Sequence, residues 1–265
     1  MKYRIAVLAA LTLSHSANAE EERGAPREVA VILAHPDDEL VMAPAIARAA
    51  REGANVTFIY ATSGDQGPGV SGMEKGAALA EVRKAEANCS AEALGVRTVL
   101  FLDHGDGTLT DRPQDFESPA RKLANDLGTI LREHPYDVIL TWGPDGGYGH
   151  GDHRIVSAIV TQLMQASPAS GAELFYPGIP AGSLPPIPQM QDWAVTDPSR
   201  LPVSYAYNAQ DLASARAATQ CHATQFSAEE RAQMPDLFHA TVWQGSVHSR
   251  RAFDRGGAES VPTGE

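Results

Sequence analysis

Val29-Ala30-Val31-Ile32-Leu33 runs without a break into Ala34-His35-Pro36-Asp37-Asp38-Glu39. An uninterrupted apolar run of this length predicts a strand buried on both faces, as in a parallel sheet. A histidine, a proline and three successive carboxylates then stand at the point where the strand must end. The pattern recurs downstream, where Val138-Ile139-Leu140-Thr141-Trp142 precedes Gly149-His150-Gly151-Asp152-His153.

Between and beyond these two runs, strand-like and helix-like segments alternate. Strands are predicted over 29–34, 55–61, 98–102, 137–142 and 173–176, and helices over 41–52, 74–94, 119–134 and 153–165. Pro44 fits a helix only near its first turn, which puts the start of the first helix near 41–43. Such alternation predicts an α/β, Rossmann-like fold, a mostly parallel sheet flanked by helices. Residues 177–202 hold seven of the eighteen prolines and read as an ordered loop or lid. Helical patterns near 211–225 and 228–234 complete a C-terminal region expected over the site. One domain is expected over 20–250, with no repeat and no second core, followed by a mobile tail at 251–265.

The first nineteen residues have the pattern of an export signal: Lys2 and Arg4, the apolar stretch 5–13, then Ala17-Asn18-Ala19. The apolar stretch is too short to span a bilayer. Cleavage after Ala19 would leave 246 of the 265 residues, change the formal charge from −12 to −14, and place the protein in the periplasm or outside the cell. With no basic stripe, nucleic acids and anionic membranes are excluded as expected partners. Cys89 and Cys221 would form one disulfide or stay as two buried thiols, and the spacing leaves both open. Oligomeric state is not readable.

In an open α/β sheet, ligands bind beyond the carboxyl ends of the strands, so the two clusters are expected to converge there. Taken singly, His-Pro-Asp is turn chemistry and Gly-Gly-Tyr-Gly-His is a loop. Together they supply a hydrolytic metal site. His35 and Asp38, three apart across a turn, and His153 from the second cluster make three ligands and leave a position for water. Asp37 would stay free to take a proton. A bound metal brings water within reach of deprotonation near neutral pH. His150, at i−3 from His153, would stand beside the metal and as an imidazolium stabilise an oxyanion or protonate a leaving amine. Asp152 would orient His150 or a ligand ring. His, Asp and His with water suits Zn²⁺, and also Fe²⁺, Mn²⁺ or Co²⁺.

These two clusters resemble the PIG-L/LmbE family of zinc-dependent N-deacetylases, which includes the GlcNAc-inositol deacetylase of mycothiol synthesis and amidase relatives. The likeness continues through Thr62-Ser63-Gly64-Asp65-Gln66-Gly67, Arg83, Leu94-Gly95-Val96, Asp106-Gly107 and His222-Ala223-Thr224-Gln225, and so covers residues 29–225. At the Asp65 position the family often has Glu. The resemblance implies zinc ligands at His35, Asp38 and His153, a general base at Asp37, and an electrostatic and acid role for His150 with Asp152 as its partner. By the same token it implies sugar contacts at Arg83 and Asp106. Tyr148 is expected to reach the substrate and His222 to line the site. Trp193 is the best candidate for stacking on a sugar, while Trp142 and Trp243 are expected to pack. Asp103 and His104 flank a strand end without an expected ligand role. Many relatives of the mycothiol branch are cytosolic, so an exported chain is expected to act on cell-wall fragments, chito-oligosaccharides, other glycans or an acetylated amide. A small-molecule or oligosaccharide amide is therefore the expected substrate. The competing expectations are an amidase for a larger acyl group and a carbohydrate-binding protein without catalysis.

Overall fold

A computed structural model describes residues 27–167 and 171–253. The export signal at 1–19 and the tail beyond 253 lie outside the described residues. Five parallel strands form the body of the sheet: β1 (Glu28–Leu33), β2 (Asn55–Tyr60), β3 (Thr98–Phe101), β4 (Val138–Leu140) and β5 (Glu173–Pro177). Helices α1 (Ala43–Arg51), α2 (Ala77–Leu94), α3 (Pro119–Glu133) and α4 (Gly151–Ala166) connect them in turn. Two further helices, α5 (Ala209–Cys221) and α6 (Ala228–Phe238), come after the proline-rich segment. Among the described residues no helix is long and apolar enough to cross a membrane.

Successive residues of β1 feed opposite faces of the sheet, as the two-residue period of a strand requires. Val29, Val31 and Leu33 pack with α1, α2 and α5, whereas Ala30, Ile32 and Ala34 pack with α3 and α4. Burial on both sides is why the run reads as continuously apolar. The helices start and stop where local chemistry dictates. The Ser118 hydroxyl caps α3 with Pro119 in the first turn, reciprocal capping boxes open α5 (Asn208, Asp211) and α6 (Ser227, Glu230), and Gly95 closes α2 in the left-handed region.

Two strands depart from the sequence expectation. β6 (Val203–Ala206) and β7 (Ser246–Arg251) extend the sheet antiparallel, giving the order β3-β2-β1-β4-β5-β7-β6. Ser-Val-His-Ser-Arg-Arg has no apolar run, because an antiparallel strand near the edge needs only one apolar face. The start of the expected mobile tail is also corrected. Arg251 closes β7 and the Ala252 amide bonds to Leu174, which ties both to β5.

Strand order reverses between β1 and β4. A crevice must open there at the carboxyl ends, since the connections from the two strands leave toward opposite sides. Cys89 on α2 and Cys221 at the end of α5 form a disulfide, with Cα atoms 5.7 Å apart. The bridge closes a long loop, and replacing both cysteines with serine is expected to lower the melting temperature by about 5–15 °C in thermal melts followed by circular dichroism.

Candidate active site

The loop after β1 turns sharply. Asp37 adopts φ 94°, in the left-handed region that non-glycine residues enter at a cost of about 1–3 kcal/mol. Asp38 then opens a short 3-10 turn, Asp38–Met42, and Pro44 sits in the first turn of α1. The Asp38 carboxylate folds back on the strand end, its Oδ2 accepting from the amides of Ala34 (3.1 Å) and His35 (2.9 Å). At the end of β4 the chain passes through Gly146 and Gly147, both at positive φ, and enters α4 under a cap made by His150.

Three donor atoms from the two segments meet. His35 Nδ1 lies 3.2 Å from His153 Nε2, and Asp38 Oδ1 lies 3.0 Å from the same nitrogen. His35 Nδ1 is 3.8 Å from Asp38 Oδ2. The ring contacts fix the tautomers. His153 donates Nδ1–H to the Gly146 carbonyl at 3.1 Å and stacks flat on Trp142, which leaves Nε2 bare. His35 donates Nε2–H to Asp106 Oδ1 at 3.0 Å, with Asp152 Oδ2 at 3.4 Å, which turns Nδ1 toward His153. Two ring nitrogens and a carboxylate oxygen thus converge in a buried place. They need positive charge among them, which a proton on His35 or a metal cation can supply. Two imidazoles and a carboxylate are the ligand types that a catalytic zinc site takes, with a further position left for water.

The electrostatics agree. Burial disfavours a charge on His35, yet Asp106, Asp152 and Asp38 raise its pKa to about 10. Burial likewise opposes ionisation of Asp38, but His153 and His35 hold its carboxyl well below the usual range. The site is built to hold positive charge.

Two sets bring one ligand atom from each of three residues within 4.8 Å of one another: His35 with His150 and His153, and His35 with Asp106 and Asp152. Neither fits a metal as well. His150 Nδ1 accepts from the Asp152 amide at 3.2 Å, so its Nε2 carries the proton and is a donor. The Asp152 oxygens are engaged by the amides of Gly107 (2.7 Å) and Leu109 (3.2 Å), and Asp106 Oδ2 by that of Gln66 (2.7 Å). Asp106 and Asp152 therefore hold His35 and the 105–109 loop in place. Asp152 is within reach of His35 through its side chain, whereas its contact with His150 runs through its backbone amide.

Asp37, next to Asp38 in the loop, has its side chain about one-fifth exposed and Oδ1 3.2 Å from Arg83 Nη2. Burial raises its pKa to about 6, Arg83 working against the rise and Asp38 with it. Burial also lowers the pKa of the half-buried His150, and His35 and His153 add to that effect. Both effects work against the imidazolium expected from sequence.

Three residues expected to touch substrate face inward instead. Arg83 is buried, and its guanidinium donates to the carbonyls of Pro36, Gly64 and Gly67 as well as to Asp37. Gly64 must be glycine here, since a β-carbon would run into that guanidinium. Asp106 is buried against His35. His222 is fully buried, with Nε2 2.6 Å from Glu39 Oε1, and so lines no surface. Glu39 itself was missed: its carboxylate also takes Ser90 Oγ, Tyr60 Oη and the Asp37 amide. The third of three successive carboxylates, directly before Leu40-Val41-Met42, was the available signal.

At the rim, Tyr148 is 45% exposed, and its ring lies 5.3 Å from that of His153 and 5.4 Å from that of Trp193. The proline-rich segment thereby reaches the site, and the Ala194 amide donates to the Gly147 carbonyl at 2.7 Å. Trp243 packs in the core and donates to the Val41 carbonyl. Asp103 pairs with Lys84 and His104 with Asp126, apart from the three donors.

Residues 30–164, just over half of the chain, match the family model described as PIG-L, GlcNAc-PI de-N-acetylase. The chain belongs to the PIG-L family. A PIG-L relative, the 1D-myo-inositol 2-acetamido-2-deoxy-alpha-D-glucopyranoside deacetylase of Kineococcus radiotolerans, is 35% identical over 167 residues, 54% of this chain and 46% of that protein. This chain spans about half the length of the first such relatives it matches. Among solved structures, the N,N′-diacetylchitobiose deacetylase of Pyrococcus horikoshii superposes with a TM-score of 0.63 at 19% identity, covering 85% of this chain and 83% of that one. The 4-carboxy-2-hydroxymuconate hydratase of Pseudomonas putida superposes at 0.61 and 16% identity, covering 89% and 100%. At such identities the likeness shows the fold alone. That one fold carries a deacetylase and a hydratase means that activity must be argued from the site.

Proposed function

We propose that the chain is an exported, metal-dependent N-deacetylase that hydrolyses the acetamide of an N-acetylglucosamine-like sugar. The observation that carries this reading is that His35 Nδ1 and Asp38 Oδ1 both approach His153 Nε2, with the ionisable Asp37 next to Asp38 in the same loop. His35, Asp38 and His153 would hold the metal, with Zn²⁺ the first choice for two nitrogens and a carboxylate and Fe²⁺, Mn²⁺ or Co²⁺ compatible. When bound, the metal acidifies water and polarises the amide carbonyl.

The protein supplies the rest. Asp37 accepts the proton of the attacking water and afterwards delivers it to the leaving nitrogen, roles suited to a carboxyl whose pKa is raised toward neutrality. His150 donates Nε2–H to the carbonyl oxygen as negative charge develops there. Asp106 and Asp152 keep His35 in the tautomer that presents Nδ1. Tyr148 and Trp193 offer an aromatic rim on which a sugar face can rest. His150→Ala is expected to lower kcat by about 10²–10³-fold, the usual worth of one oxyanion donor, with metal content unchanged. A loss of metal from that variant would instead move His150 into the ligand set.

Export is supported by the pattern of the first nineteen residues and by the formed disulfide, which suits an oxidising compartment. The deciding experiment is acetate release by the chain from GlcNAc, chitobiose, longer chito-oligosaccharides and muropeptide fragments, with chelator and zinc add-back. Acetate that vanishes with chelator and returns with zinc is the expected result. No acetate from metal-loaded protein overturns the deacetylase reading. Release of a larger acyl group from other amides would then make it an amidase, and sugar binding without turnover a binding protein.

A further inference from the structure

We propose that the Cys89–Cys221 disulfide positions the base of this reaction, through a buried carboxylate that no motif assignment singles out. The inference rests on Asp37 being that base. The Pro36–Asp37 peptide is gripped at both ends. Its carbonyl accepts from Arg83 Nη2 at 2.6 Å, and its N–H donates to Glu39 Oε2 at 3.0 Å. Those two contacts hold Asp37 in its left-handed conformation and so aim its carboxylate.

Glu39 is fully buried and is fixed by its other oxygen. Oε1 accepts from Ser90 Oγ and from His222 Nε2, both at 2.6 Å. Ser90 is the residue after Cys89, and His222 is the residue after Cys221. The disulfide therefore ties together, one residue away on each side, the two groups that hold Glu39. Cys89 is exposed and Cys221 half-buried, while Ser90 and His222 point into the core. A bond at the surface thus sets the spacing of a clamp beneath the catalytic loop. Glu86 on α2 also grips the amide and hydroxyl of Thr224, so losing the disulfide would loosen the clamp without releasing it.

Glu39 is accordingly a positioning residue, and the bridge acts through it. A disulfide that served stability alone would leave turnover untouched at temperatures where the protein is folded. The test uses the Cys89→Ser/Cys221→Ser double variant, with and without Glu39→Gln. All forms are assayed well below their melting temperatures, with metal content measured. In the double variant, amide hydrogen exchange across residues 34–42 is expected to quicken about ten-fold while β1 keeps its protection. Its kcat is expected to fall about 3–10-fold with KM within about two-fold and metal stoichiometry unchanged, because a small misplacement of a reacting group costs turnover. In the Glu39→Gln background, removing the cysteines should change kcat by less than about two-fold, since residues acting in one chain are not additive. Parental exchange across 34–42 in a folded double variant overturns the proposal, as does a loosened loop with parental kcat or full additivity with Glu39→Gln. If the parent hydrolyses no amide, the deacetylase reading fails, and the exchange measurement alone decides whether the bridge orders this loop.

Discussion

Asp37→Asn is expected to cut kcat by about 10²–10⁴-fold, the range that a positioned general base contributes, while leaving one metal per chain. The substitution isolates proton transfer unusually well at this position. Asparagine is among the few residues that tolerate the left-handed backbone, so the φ of 94° adds little new strain. Its side-chain oxygen can still accept from Arg83 Nη2, and its backbone N–H can still donate to Glu39. The three donors His35, Asp38 and His153 are untouched. What asparagine cannot do is take a proton. The measurement is kcat on the best substrate of the acetate panel, paired with metal analysis of the same preparation. Turnover above about a tenth of the parent would place the base elsewhere and leave Asp37 as a turn residue. Alanine would be a poorer probe, because it would lose the Arg83 contact and the backbone preference along with the carboxylate.

How much of this was legible beforehand depends on whether a residue's role is set locally or by its neighbours in space. The body of the sheet was readable, because β1 is buried on both faces and β4 is packed on both, and each carries that packing as an unbroken apolar run. β7 was not, because Ser246–Arg251 needs only one apolar face and its partners lie in β5 and β6. The histidines and aspartates at the strand ends were readable because strand order places them at one crevice. The direction in which each points was not. Arg83, Asp106 and His222 were all expected at the substrate, and all three turned out to be engaged with the protein itself: with a peptide carbonyl, with His35 and with Glu39. The tautomer of His150 was equally hidden, since it is set by a helix cap 3.2 Å away rather than by the residue's identity. Sequence thus identified which groups collect at the site but not which of them support others.

His153→Ala is expected to weaken metal binding by more than about 100-fold, exceeding the 10–100-fold that losing an outer partner usually costs. His153 is held on several sides. The Gly146 carbonyl fixes its proton, Trp142 stacks on one face, and the ring is fully buried. Its Nε2 is also the atom that both other donors approach, His35 at 3.2 Å and Asp38 at 3.0 Å. Removing the imidazole leaves two donors and a cavity beside Trp142, too few ligands for a catalytic site of this kind. Competition with a fluorescent chelator would give the affinity, and Asp152→Asn provides the comparison. Its carboxylate contacts His35 rather than the metal position, so that variant should lose about 10–100-fold and remain loadable. Parental affinity in His153→Ala, or a larger loss in Asp152→Asn, would remove His153 from the ligand set. The metal would then belong with His35, Asp106 and Asp152, on the other side of the His35 ring, where the tautomer of His35 would have to be reversed to receive it.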